Sequence, residues 1–453
     1  MSSPTRGSKD LTADMPPEVL AHVFGWLHFL DRVRVACVSR YWRSTALQFP
    51  ALWADIRLLD GRRKQSLVHL THLALSRSGR HPVDLECGTE FTAHILREHL
   101  DHIRTLLWVG LNMDCLTSPA PMLEVFRCAT SIPFPPNFLG GQVGVLRTLE
   151  LRILDLPPAC PALASVTSLR TETENVDLAP MVNRLWKLCP LLETLHLRDL
   201  PAVGVSDTDP PPVSLARLRL RTSSPDCNVC QFVDMCMSPS LKEVRIELQM
   251  QATLSLSSYM RSALELSIEQ GDPRREGFVK SSTALLPNGC TMQLFFTDSD
   301  EGHRSDLSVE KVLEEGSTFP GLHTLTMPLL IFHLFIRKRP HFPALEHLRI
   351  IVQQEPSGAN RFDWTRIYCL AFLRHYAVAT VTIDVRYLTP VEDKLSDART
   401  LVTHILQHAK SASSDAMPDS RYVVRGFPPE VARALNDRCC EPGHRITFES
   451  AEQ

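Results

Sequence analysis

The amino-acid sequence predicts an α/β chain in two parts. Three short helices come first, and an irregular repeat solenoid follows, its parallel strands forming one concave face. Three observations predict this. Helical periodicity starts near residue 11 and is spent by residue 50. A short leucine phrase then recurs between residues 103 and 350. The length of 453 residues exceeds what one simple core serves, so several units or an elongated repeat are required.

Residues 1–10 are polar and read as a disordered tail. Within residues 11–57, Val19, Leu20, Val23, Phe24 and Leu27 make one apolar stripe on a first helix. Asp14 is the expected N-cap, and Pro16 and Pro17 suit a first turn whose N–H groups have no partner anyway. Gly25 lies on the opposite face. A second helix fits Asp31 to Cys37. A third fits Arg40 to Phe49, capped by Ser39 and stopped by Pro50. Three such helices bury little alone, so the unit must lean on a neighbour. It nevertheless holds two of the chain's six tryptophans, Trp42 and Trp53.

The recurring phrase is LRTLEL at 146–151, LETLHL at 192–197, LARLRL at 215–220, LKEVRI at 241–246, LHTLTM at 322–327 and LEHLRI at 345–350. Weaker copies are IRTLLW at 103–108, LEVFRC at 123–128 and VTSLRT at 166–171. A period of about 20–29 residues with L-x-x-L-x-L marks leucine-rich repeats, which bury by stacking what one repeat could not. Prolines before several phrases mark where a return segment ends and a strand begins. The Asn or Cys that usually follows the last leucine is replaced by Leu154, Leu200, Gln249, Leu330 and Gln353, so stacking should be irregular. The alternative is a general α/β domain with leucine-rich strands.

These phrases place a linker helix and first repeat or cap at 58–100, a repeat arc at 101–390, and a C-terminal cap and tail at 391–453. The starts at 241 and 322 leave a gap close to three more periods, with TMQLFFT at 291–297 as one hidden strand. Residues 251–318 are otherwise the least legible. SLSSYMRSALELSIEQ reads as helix or strand by turns, and GDPRREG and TDSDEGHRSD read as exposed loops. Later, VATVTIDV alternates like a strand. The stretch from Ser396 to His408 is amphipathic, and KSASSDAMPDS is a polar linker. RYVVRGFPPEVARALND with RITFES reads as a closing strand–helix–strand.

A net charge of −3 gives no whole-chain case for nucleic acid or an anionic membrane. The N-terminus lacks an apolar run behind a basic start, and the greasy stretch Leu329 to Ile336 is too short to span a bilayer. Thirteen scattered cysteines suit a reduced, soluble, intracellular protein in the cytoplasm, the nucleus or both. Cys227-x-x-Cys230, with Cys236 nearby, is half a zinc spacing without a second half, and the 18 histidines read as dispersed. No metal, cofactor or catalytic residue is expected: there is no RING pattern, P-loop, G-x-G-x-x-G or G-x-S-x-G.

The N-terminal unit resembles an F-box. The residues that carry the resemblance are Met15-Pro16, Val19-Leu20, Val23-Phe24, Leu27, then Val38-Ser39-Arg40-Tyr41-Trp42 and Leu52-Trp53. LVHLTHLALSRSGRHPVDLEC at 67–87 and IPFPPNFLGGQVGVLRTLEL at 132–151 look like basidiomycete fungal F-box proteins. The resemblance implies docking on a Skp-type adaptor, and through it on a cullin. It places Met15, Pro16, Leu20, Val23, Leu27, Val38 and Trp42 against the adaptor, while Trp53 packs between box and repeats. Two residues depart from the pattern. Met15 stands for Leu, a mild swap. Arg32 stands where the family prefers Leu; either its stem lies along the apolar face or Leu30 and Val33 fill the space, and adaptor binding would be weakened.

Residues between the repeat leucines face the concave side. They include Thr148, Glu150, Arg152, Thr194, His196, Arg198, Arg217, Arg219, Arg221, Glu243, Arg245, Glu247, His347 and Arg349. Seven Arg stand against three Glu in this set, which predicts a basic surface for an acidic or phosphorylated client. Its candidate residues are Arg152, His196, Arg198, Arg217, Arg219, Arg221, Arg245 and Arg349. The bland alternative is a solvated strand face. The resemblance then implies the substrate-recognition subunit of an SCF-type ubiquitin ligase, non-catalytic and acting by proximity. The rivals are a repeat scaffold with a non-ligase or degenerate F-box, and an enzyme with a cryptic site in residues 251–318.

Overall fold

The computed structural model describes residues 12, 14–57, 64–87, 93–110, 113–153, 155–173, 178–200, 208–222, 229–249, 261–270, 279–297, 318–353, 378–386, 403, 421–439 and 446–450. They fall into two units, Met1–Arg198 with Ser206–Leu215, and Asp199–Val205 with Ala216–Gln453.

The first unit opens with α1 (Pro17–Gly25), α2 (Phe29–Val35) and α3 (Arg40–Gln48). The Ser39 hydroxyl accepts the Trp42 N–H at 3.1 Å and caps α3. Asp14 does not cap α1; Pro16 occupies that position without a side-chain bond, and Pro17 takes the first helical position. Pro50 opens a 3₁₀ turn, Pro50–Trp53, rather than merely stopping α3. A parallel sheet follows: β1 (Asp55–Arg57), β2 (Val83–Cys87), β3 (Ile103–Trp108), β4 (Val125–Cys128), β5 (Thr148–Ile153), β6 (Ser168–Glu172) and β7 (Thr194–Arg198). Each strand pairs with the next in sequence order. The return segments are α4 (Lys64–Ser78) and α5 (Ala93–His99), then 3₁₀ turns, then α6 (Leu178–Leu188).

One aligned row, Ile56, Leu85, Leu106, Phe126, Leu149, Leu169 and Leu195, runs through all seven strands and is at most 2% exposed. Each such residue contributes about 1.5–3 kcal/mol by burial, before ordering entropy is deducted. This row is why the leucine phrase must recur. The missing Asn ladder has a local replacement in hydroxyls. Thr130 Oγ1 donates to the Gly110 carbonyl at 2.8 Å, and Thr173 Oγ1 to the Arg198 carbonyl at 2.9 Å.

The second unit holds β8 (Arg217–Thr222), α7 (Val229–Cys236), β9 (Glu243–Gln249), β10 (Glu265–Gln270), β11 (Val279–Leu285), β12 (Thr291–Thr297), β13 (Thr324–Pro328), α8 (Leu329–Arg337), β14 (His347–Gln353), β15 (Thr380–Arg386), β16 (Arg421–Phe427), α9 (Pro429–Cys439) and β17 (Ile446–Ser450). Its strand order is β8-β9-β12-β11-β10-β13-β14-β15-β16-β17. The three strands between β9 and β13 therefore run in reversed order, and β11 is antiparallel to both neighbours. This corrects the expectation of three further repeats. TMQLFFT is a strand and pairs parallel with β9 along its whole length, but it arrives there by a hairpin. The cause is a tight turn at Asn288-Gly289, with Gly289 at φ +79° and Asn288 Oδ1 accepting the Cys290 N–H at 3.0 Å.

SLSSYM, GDPRREG, all of TDSDEGHRSD after Thr297, KSASSDAMPDS, most of 396–408 and the 1–10 tail lie outside the described residues. None of the described helices is long and apolar enough to cross a membrane. None of the eight cysteines with placed side chains is in a disulfide. Burial pushes the Cys189 thiol up to about 12, and those of Cys115 and Cys290 to about 11, so these behave as small apolar residues. Cys236 is buried and its thiol is raised for the same reason, while Cys227 lies outside the described residues.

Candidate partner-docking site

The first three helices hold together around Phe24, Trp42 and Arg32. The Phe24 and Trp42 rings tilt against each other at 5.2 Å. Trp42 Nε1 donates to Thr12 Oγ1 at 3.0 Å, and the Tyr41 hydroxyl donates to the Met15 carbonyl. Trp53 is fully buried; its Nε1 donates to the Ala46 carbonyl at 2.8 Å, and the Arg77 guanidinium of α4 lies 4.6 Å over its ring. The stretch after α3 thus uses its tryptophan to fasten the helices to α4.

Arg32 does not run out to solvent along the apolar face. It is 8% exposed, and its head turns inward. Nε donates to the Leu27 carbonyl at 2.8 Å, Nη1 to Leu52 at 3.0 Å and Nη2 to Gly25 at 3.1 Å. Asp55 stands 3.9 Å away. The cation therefore meets carbonyls at the C-terminal end of α1, where the helix dipole favours it. Burial pulls its pKa down and Asp55 opposes that. Because the side chain points inward, it does not lie on a face a partner could reach.

The single apolar stripe read on α1 is two half-stripes. At roughly 100° per residue, Leu20 and Phe24 point one way and Val19, Val23 and Trp26 another. Leu20, Ala21 and Phe24 are buried, whereas Val19 and Val23 are each 48% exposed and Trp26 is 81% exposed. Leu20 is thus a core residue, which corrects its place among the adaptor-facing candidates. Of the others, Pro16, Val23 and Val38 are exposed, and Met15, Leu27 and Trp42 are half-buried. Trp26 escaped the sequence reading, although it continues Val19 and Val23 at i, i+4, i+7. Among the described residues ten large apolar side chains are exposed, and Val19, Val23, Trp26, Val38 and Leu47 are five of them. Half of the exposed set therefore falls between residues 19 and 47.

The strand faces are less basic than expected. In the first unit Arg198 and Arg152 share Glu172, at 3.7 and 3.8 Å, and Arg127 pairs with Glu150 at 3.4 Å. Arg170 sits between them without an ion pair among the described residues. Together Arg127, Arg152, Arg170, Arg198, Glu150 and Glu172 line an open depression of about 540 Å³, with four positive charges against two negative. Arg198 Nε is buried there without a hydrogen-bond partner. His196 is aligned with Arg170 on the neighbouring strand but does not line the depression. In the second unit Arg217, Arg219 and Arg221 lie opposite Glu243, Arg245 and Glu247. Arg245 is occupied by Glu247 at 3.0 Å and by the Phe295 ring at 4.1 Å, and Arg349 by Asp384.

Residues 12–59 match the F-box-like family model. The matched span contains the three helices, the 3₁₀ turn and β1, so the exposed half-stripe belongs to an F-box-like domain. Over 313 residues, 62% of this chain, the sequence is 24% identical to a putative FBD-associated F-box protein of Arabidopsis thaliana. The match spans 63% of that protein's own length. That relative is from a plant, and it supports the F-box likeness without bearing on the fungal texture read at 67–87 and 132–151.

Proposed function

We propose that this chain is the non-catalytic substrate-recognition subunit of an SCF-type ubiquitin ligase, working in the cytoplasm or nucleus. The F-box at 11–57 docks a Skp-type adaptor, and through it a cullin. The leucine-rich-repeat-like region at 101–390, interrupted by the β10–β12 hairpin strands, holds a client; residues 58–100 join the two, and 391–453 cap the end. The observation that carries the docking half is the exposed Val19, Val23, Trp26 and Val38 set, with Val19 and Val23 on a helix whose opposite face is buried. Large aromatic side chains of this kind dominate interface energies. The client half moves from the arginine triplet in β8 to the Arg127, Arg152, Arg170 and Arg198 depression, where Arg170 has no ion pair among the described residues and four positive charges face two negative. An acidic or phosphorylated segment supplies the missing negative charge.

The test is binding of purified Skp-type adaptor to the full chain. Val23→Asp with Trp26→Ala should abolish capture while circular dichroism stays unchanged. Adaptor binding equal to wild type would sink the docking assignment. Leu20→Asp is the contrast, since it should unfold the domain. Accumulation of a client on depletion in cells separates a ligase subunit from a scaffold that merely binds the adaptor.

A further inference from the structure

Six of the 18 histidines fall within residues 69–102, so the dispersal read from the sequence does not hold there. The fold gathers three of them. His72 comes from α4 and His99 from the end of α5, with ring centroids 5.8 Å apart. His102 stands edge-on to His99 at 5.3 Å. His102 is buried and committed: Nδ1 meets Asp101 Oδ1 at 3.0 Å and Nε2 meets Ser78 Oγ at 3.5 Å. It therefore acts as a wall that holds the His99 ring in place. Glu98, next to His99, completes the group. One ligand atom each from His72, Glu98 and His99 lie within 4.8 Å of one another.

We infer that His72, Glu98 and His99 bind a divalent transition-metal ion of the zinc class. Two imidazoles and one carboxylate are a three-ligand set, leaving positions for water or an incoming donor. Tetrahedral zinc with bonds of about 2.0–2.2 Å needs donor atoms about 3.3–3.6 Å apart, so the group must close by about 1 Å. His72 and Glu98 are exposed and His99 half-buried, so side-chain rotation alone supplies that closure. Magnesium and calcium take oxygen ligands, so the two imidazoles disfavour them. The consequence is mechanical. The ion ties α4 to α5, and α4 is the helix whose Arg77 lies over Trp53. Metal binding would stiffen the joint between the F-box-like domain and the strands that follow it. None of this depends on the ligase reading.

The experiment uses the full chain, stripped with chelator and titrated with Zn²⁺ against a chromophoric competitor, and separately with Co²⁺ by visible absorption. His72→Ala/His99→Ala and the single Glu98→Gln are titrated alongside. Wild type should bind one equivalent that both variants hold more than about tenfold more weakly. Zn²⁺ should slow amide exchange in residues 64–78 and 93–99 of wild type alone. His72→Ala by itself, at an exposed position, guards against misfolding of the double variant. No competitive binding by wild type would overturn the site. Equal binding by wild type and variants would also overturn it, by assigning the metal to other donors such as the exposed Cys37 thiol.

Discussion

Replacing Arg32 with leucine should loosen the F-box-like domain, even though the family pattern favours leucine there. The guanidinium makes three bonds to backbone carbonyls, of which the one to Leu52 is buried and those to Gly25 and Leu27 are partly so. A hydrogen bond to a charged donor is worth about 1.5–3 kcal/mol net when buried. The two partly buried bonds are each worth nearer 1 kcal/mol, because water reaches those carbonyls once the side chain leaves. Swapping an entire buried ion pair for apolar groups can be neutral, but here the partners are main-chain oxygens that no substitution removes. Leucine returns about 1–2 kcal/mol by apolar burial and by relieving the cation's desolvation. The net loss is about 2–3 kcal/mol, which raises local opening roughly 30- to 150-fold. Amide exchange across α1 and α2 reads this directly. Protection equal to or greater than wild type would show that the carbonyls find solvent at no cost, and the reasoning would fail.

Gly426→Ala should disrupt the pairing of β16 with β15. Gly426 sits at φ +99°, and an added Cβ would meet the Val385 carbonyl oxygen at 2.0 Å. A loss of about 3 kcal/mol or more is expected in thermal unfolding; a midpoint within about one degree of wild type rejects it. Asp84 holds Arg104 at 2.6 Å, and although burial pushes its carboxyl up, hydrogen bonds from Arg104 and Thr105 and nearby arginine charge bring it below its ordinary value. Its unfolded form takes up the proton first, near pH ~4, so its contribution is present above that pH and is lost as pH falls through the lower folded value. Asp84→Asn should flatten that part of the acid stability curve, by a small amount because the pair is half exposed; an unchanged curve argues against the pair. Arg170→Glu with Arg198→Glu should weaken capture of a phosphorylated peptide by the full chain. Reversing Arg217, Arg219 and Arg221 should weaken it less, and the opposite ranking returns the client site to β8.

What was legible in the sequence was local. Three helices, the Ser39 cap and proline at the first position of α1 follow from neighbours within four residues. The leucine phrase locates many of the strands, because in the first unit each strand from β3 to β7 supplies one member of a buried row. The strand–helix–strand at 421–450 was equally plain. What failed was non-local. Arg32 reads as a misplaced charge until Gly25, Leu27 and Leu52 are seen around it. The arginine count overstates the charge because Glu172, partner of both Arg152 and Arg198, stands just after the weakest phrase, VTSLRT, and falls outside the residues counted. The reversed strands have a local signal, the Asn288-Gly289 turn, which makes a hairpin where periodicity alone asks for another repeat.

The two halves of the α1 stripe show why periodicity cannot separate the buried face from the exposed one. Val19 and Leu20 are both apolar, adjacent and helical, so a hydrophobic pattern scores them alike. What separates them is supply. α3 lays the Trp42 ring against Phe24, and α3 and the 3₁₀ turn add the buried Ala46 and Leu52 to the same small core, which holds Leu20 and Phe24 inside. Three short helices hold too little apolar surface to cover the other half as well, and so Val23 and Trp26 stay in water. Arg32 belongs to the same economy. A cation that caps α1 from within satisfies carbonyls that a larger domain would bury behind additional chain, and it does so without using any of the exposed half. The departure from the family pattern at Arg32 therefore bears on the stability of the domain and not on the face it presents. An adaptor assay on a folded Arg32→Lys variant separates the two: lysine keeps the charge but lacks the fork, so stability should fall while the exposed Val19, Val23 and Trp26 face continues to bind.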